Sequence, residues 1–261
     1  SIVASTFVAR HITTTKQWRE ISLTNMMMRF ISVVDIITSF FVYFMSSWMA
    51  PPSHADWLIY AAGTTASCTA QGFFFSFGYF TMICYNLSLC FYNTSAIALR
   101  MKETAIVKYV EPMLHLLPLA VGIGVALPLC FGNHYRPTGY EMWCSNRADH
   151  NGYYRNFVPL LGVAFFALII FCGVMMIGKV YRLEQRLSNA RRSATHDRAT
   201  NTLNNTKVLI FQLTLYILSY IVTILPALLR SVLPANTDTT VLFYLRHILL
   251  PLQGFFNALI F

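Results

Sequence analysis

The chain has 261 residues, of which 56% are hydrophobic and only 11% charged, with a formal charge of +9 and a mean hydropathy of +0.53. Soluble domains carry about 25% charged residues, so this composition excludes a soluble globular fold and indicates an integral membrane protein. In that setting the basic surplus reflects charge asymmetry between the loops on the two sides of a bilayer, and a nucleic-acid partner is not called for.

Residues 1–10 begin directly on the apolar string "SIVASTFVA", with no basic region ahead of it. This reads as the inner part of a first helix whose outer half is missing, and not as a secretory signal. Six longer apolar segments follow, at approximately 26–49, 66–99, 110–131, 156–180, 208–232 and 241–261. Each reaches the roughly 20 residues that a membrane helix needs at about 1.5 Å per residue. Pro51-Pro52, Gly132-Asn133, Pro137 and "PANTDT" (234–239) read as turns, and 182–207 is a long polar loop whose first part, "RLEQRLSNARR" (182–192), continues the fifth helix as a basic amphipathic stretch. The expectation is one all-α domain over 1–261, a seven-transmembrane helix bundle with a truncated first helix and no visible tail.

Fourteen of the 19 Lys and Arg residues fall on the side of the first loop, the loop after the third span and the 182–207 loop. The remainder, Arg136, Arg147, Arg155, Arg230 and Arg246, lie on the other side. The positive-inside rule puts the first group in the cytosol and the N-terminus outside, as expected of a multi-pass plasma-membrane protein. The sequons at Asn86 and Asn93 then lie within a span and the one at Asn204 in the cytosol, so none is expected to carry a glycan.

Of the six cysteines, Cys68 falls at the outer end of the third span and Cys144 in the following outer loop. The exterior is oxidising, so these two are the expected disulfide. No metal-ligand spacing occurs. His11, His115 and His196 are scattered and read as surface or interface residues.

Seven spans, an outside N-terminus and a third-span cysteine bridged to the second outer loop resemble a G-protein-coupled receptor. Local strings add to the resemblance. "RFISVVDIITSFF" (29–41) resembles the second receptor helix, "SCTAQGFFFSFGYFTMICYNLSLC" (67–90) the third, and "ILPALL" (224–229) the sixth with its proline, Pro226. "LPLQGFFNALIF" (250–261) is similar to the seventh helix of the slime-mould cyclic-AMP-receptor-like and secretin-like groups. The Asp-Arg-Tyr of the rhodopsin group is absent from the base of the third helix, where "FYNTS" stands, and the usual tryptophan of the fourth helix is missing. The resemblance implies a receptor that carries an extracellular small-molecule or peptide signal to a heterotrimeric G protein, without catalysis and without a cofactor. Membrane lipids are the remaining expected partner.

Within this scheme Asp35 is the one acidic residue in mid-span. A charge there costs about 2.5–3.5 kcal/mol on insertion scales, so it must face the bundle interior, pair, or be neutral; the expected role is a polar switch or cation site, with a structural hydrogen-bonded carboxyl as the alternative. Gln253 and Asn257 share a helix face at i, i+4. Gly254 permits close helix approach, and Pro251 frees a carbonyl. With Pro226 these form the expected conformational switch. In the aromatic run 73–80, Phe77 is the candidate for ligand contact, joined by Trp143 beside the bridge and by Arg246, which would meet an anionic ligand. Arg29, about 9 Å below Asp35, with Arg100, Arg182 and Arg186, would contact the G protein. A small seven-span transporter is the competing reading, disfavoured because transporters show repeats and several intramembrane ionisable groups. A retinal receptor would need a lysine in the last span, and residues 241–261 contain none.

Overall fold

The computed structural model describes residues 2–14, 23–52, 58–97, 110–132, 134–137, 142–146, 152–191, 211, 214–215, 217–230, 233 and 240–260. In chain order these form α1 (Ile2–Thr14), α2 (Leu23–Ser39), α3 (Thr65–Ile97), α4 (Glu111–Phe131), β1 (Tyr135–Pro137), β2 (Cys144–Asn146) and α5 (Gly152–Arg191). They continue with α6 (Ile217–Arg230), α7 (Thr240–Leu249) and α8 (Gln253–Ile260). Asn204, Arg100 and the turn at 234–239 lie outside the described residues. The architecture is an all-α membrane bundle, as the composition requires. In hydrocarbon every backbone polar group must be bonded within its own segment, which leaves helices as the economical solution.

α3 is the central post. Its apolar window is 67% buried, against 22% for that of α5, and it packs against α2, α4, α5 and both strands. The reason lies in its composition. Helices in lipid associate through small and polar residues, and α3 buries Ser76, Thr81, Ser88 and Ser95 along with Asn86 and Asn93. The two asparagine side-chain amides donate back to the carbonyls of Met82 and Leu89, each at 2.8 Å, so both sequon nitrogens are buried and bonded inside the helix. At Gly78, α3 comes so close to α2 that a Cβ would overlap the Thr38 side chain.

Two apolar clusters flank α3. One joins Val8, Met27, Ile31, Tyr85, Leu89 and Leu114 from α1 to α4. The other joins Ile83, Cys90, Ile169, Tyr220, Ile224 and Leu228 from α3, α5 and α6. His115 of α4 is half-buried, its ring 4.9 Å from Phe30 and 5.9 Å from Tyr85.

The structure departs from the sequence reading at three places. α2 does not run straight to its end, but passes into a π turn at Phe40–Phe44 and a 3₁₀ turn at Ser46–Met49. The last span is divided. Pro251 sits in a 3₁₀ turn, Leu250–Leu252, between α7 and α8, and the Gln253 N–H bonds the Leu250 carbonyl across it. Pro137, read as a turn, instead ends β1 and faces Cys144 in an antiparallel ribbon. Proline is tolerated there because a two-stranded ribbon is all edge.

Candidate functional site

Asp35 is 4% exposed and accepts a hydrogen bond from the Ser5 hydroxyl of α1 at 2.6 Å. From this point a narrow cavity runs between the helices. α2 and its π turn contribute Asp35, Thr38, Ser39 and Tyr43; α3 contributes Phe75, Tyr79, Met82 and Ile83. Tyr220 and Ile224 come from α6, and Leu250 and Gln253 from the broken last span. Gln253 is 2% exposed, and Gly254 beside it is buried. The cavity is thus a narrow apolar shaft with carboxyl, hydroxyl, phenol and amide groups set into it.

Above the shaft lies an aromatic lid. The Cys68–Cys144 disulfide, with Cα atoms 5.4 Å apart, fixes β2 to the start of α3. It thereby seats Trp143 over Tyr43 (ring centroids 5.6 Å, interplanar 80°) and Phe75 (6.0 Å). The His247 ring of α7 packs at a tilt against Trp143 at 4.8 Å and against Phe243 at 4.1 Å. The Arg246 guanidinium lies 5.9 Å from the Phe75 centroid, and that of Arg230 is 4.8 Å over Phe243. Both distances are within cation–π range. The indole N–H of Trp143 is buried and finds no acceptor among the described residues, and the same holds for the Tyr220 hydroxyl.

The expected site residues distribute as follows. Asp35 and Gln253 meet in one cavity, with Trp143 and Arg246 packed on its walls. Pro226 is buried within α6, where the Thr223 hydroxyl bonds the Ser219 and Tyr220 carbonyls one turn before it. Asn257 lies on α8, and α8 packs against α1. At the opposite end of the bundle Arg29 is half-buried and Arg182 exposed, with Arg186 one turn further along α5.

Phe77 does not line the cavity. It stacks on Phe73 at 5.9 Å and packs against Gly122 of α4. The cavity rings are Phe75 and Tyr79, and helical phase explains the difference. Phe75 is seven residues, about two turns, beyond Cys68, whereas Phe77 is nine beyond it and faces roughly the opposite way. The phase relative to Cys68 would have selected the right rings. Tyr43 and Tyr220 carried no such signal.

No family model and no curated protein sequence matches the chain. Among solved structures squid rhodopsin superposes with a TM-score of 0.71 at 15% identity, covering 99% of this chain and 72% of its own. At that identity the likeness is one of fold: the chain shares the helix-bundle fold of that rhodopsin.

Proposed function

We propose that the chain is a ligand-activated G-protein-coupled receptor of the plasma membrane, with the disulfide end outside. The observation that carries this reading is the cavity itself. It joins Asp35 to Gln253 across α2, α3, α6 and the broken last span, under a tryptophan lid fixed by a disulfide. A ligand entering beneath Trp143 meets aromatic walls with Arg246 and His247 alongside. Its contact free energy shifts the packing of α6, which carries Pro226, and of the last span, whose break at Pro251 allows two arrangements. The cytosolic ends, with Arg29, Arg100, Arg182 and Arg186, then receive the G protein. The Gln-Gly-Phe end of the last span supports placement near the cyclic-AMP-receptor-like and secretin-like groups.

The test is guanine-nucleotide exchange on purified heterotrimeric G proteins, with the full-length chain in lipid nanodiscs and a small-molecule and peptide library as ligand source. A hit whose exchange signal disappears in Trp143→Ala supports the reading. Solute flux in liposomes, with no exchange from any library member, would replace it with a transporter.

A further inference from the structure

We infer that Gln71 is a positioning residue for the ligand lid, holding Trp143 and the end of α2 in place independently of the disulfide. The side chain is 0% exposed. Its Nε2 donates to the Phe41 carbonyl at 2.9 Å and to the Ser46 carbonyl at 2.7 Å, and its Oε1 accepts the Cys144 N–H at 2.8 Å. One amide therefore joins three segments: the distorted end of α2, the first turns of α3, and the lid strand β2.

The three bonds fall at irregular points of the backbone. In the π turn the Met45 N–H bonds the Phe40 carbonyl, so the Phe41 carbonyl loses the partner that an α-helix would give it. Gln71 supplies the replacement. Ser46 has φ 39°, in the left-handed region that non-glycine residues seldom occupy. Such strain persists only where the surroundings over-determine it. Here the Ser46 carbonyl is held by Gln71, and its hydroxyl donates to the Met142 carbonyl at 3.3 Å, next to Trp143. The third bond fixes the residue on the other side of Trp143, Cys144, through its backbone and not through its sulfur. Gln71 lies three residues beyond Cys68, about one helical turn deeper, so amide and disulfide grip the lid one above the other.

The consequence is mechanical. Movement of the lid and rearrangement of the α2 end, which carries Tyr43 into the cavity, share one hydrogen-bonding group. A shift at either segment is therefore felt at the other through Gln71.

The test is hydrogen–deuterium exchange on the full chain in nanodiscs, reading peptides over 40–49 and 142–146, with Trp143 emission assigned by subtraction of Trp143→Phe. In Gln71→Met, exchange accelerates roughly tenfold or more in both segments with the disulfide intact, as the loss of buried hydrogen bonds implies, and Trp143 emission shifts to the red. In Gln71→Glu the carboxyl still accepts from Cys144, but its single O–H serves only one of the two carbonyls. Exchange then rises over 40–49 while 142–146 stays protected. In the unmutated chain with the bridge reduced, 142–146 likewise stays protected.

The inference is overturned if Gln71→Met leaves either segment at the parental rate, or if reduction alone exposes 142–146 as fully as Gln71→Met does. Should Gln71→Met fail to fold, the Gln71→Glu and reduced-bridge results decide. None of these readings involves a ligand or a G protein, so they stand apart from the receptor proposal.

Discussion

The Ser5–Asp35 hydrogen bond offers a measurement of what holds a carboxyl inside the membrane. At 2.6 Å it is a short O–H···O bond, and hydrogen bonds to a charged group contribute about 1.5–3 kcal/mol in folded proteins. Interhelical bonds in bilayers run lower, averaging about 0.6 with a ceiling near 1.7 kcal/mol, because the inserted but unpacked helices also find partners. The two ranges overlap near 1.5 kcal/mol, about a factor of ten in the unfolding constant. That is the expected coupling in a double-mutant cycle of Ser5→Ala and Asp35→Asn, read by reversible unfolding in mixed micelles. Single-mutant costs that add to within about 0.3–0.5 kcal/mol would mean that the pair is not energetically coupled. α1 would then dock on α2 by packing alone, and the argument for Asp35 as the polar anchor of the cavity would fall.

Three further outcomes follow from the same geometry. A Cβ at Gly72 would overlap the Tyr135 ring, which is fully buried and tethered by its hydroxyl to the Ala126 carbonyl at 3.1 Å. Gly72→Ala should therefore cost about 1–3 kcal/mol, while Gly124→Ala, with nothing within 4 Å of its Cβ, should be neutral or stabilising by up to about 1 kcal/mol. Thermal unfolding of the pair checks the contrast. Reducing the Cys68–Cys144 bridge, which spans 76 residues, should destabilise the chain by about 2–4 kcal/mol, with about 4.5 as the loop-entropy limit. Unfolding with and without reductant measures it. Gln253→Leu and Asn257→Leu should change signalling more than cell-surface expression, as seen by parallel second-messenger and surface-labelling assays. Parental signalling from both would reduce these residues to packing.

Hydropathy made the bundle legible because a bilayer imposes length and apolarity on every span. The bridge was legible because Cys68 and Cys144 fall at a span end and in the neighbouring loop, while the other four cysteines lie within spans. The details of the site were hidden where the signal is uniform or non-local. The string "FFVYF" (40–44) is as apolar as its surroundings, and nothing in it marks a π turn. The run "FFFSFGYF" (73–80) offers a ring at nearly every phase, so composition could not distinguish Phe75 from Phe77. The packing of Trp143 against His247 joins residues 104 positions apart in the sequence, which no local pattern records. Gln71 was visible as a polar residue in an apolar span, but its three partners belong to segments that only the fold brings together.

The π turn at Phe40–Phe44 also acts as a gear in the helix. Tyr43 is eight residues beyond Asp35, and on an uninterrupted α-helix it would point about 80° away from it. One surplus residue in a wide turn takes back about 100°, bringing Tyr43 to within about 20° of the Asp35 line. Both therefore face one cavity. Straightening this turn into a regular α-helix with every residue kept would swing everything beyond it, including the floor under Trp143, by about 100°. Deleting a single residue between Phe40 and Phe44 would instead remove the surplus and leave Tyr43 on the same line, seven residues beyond Asp35.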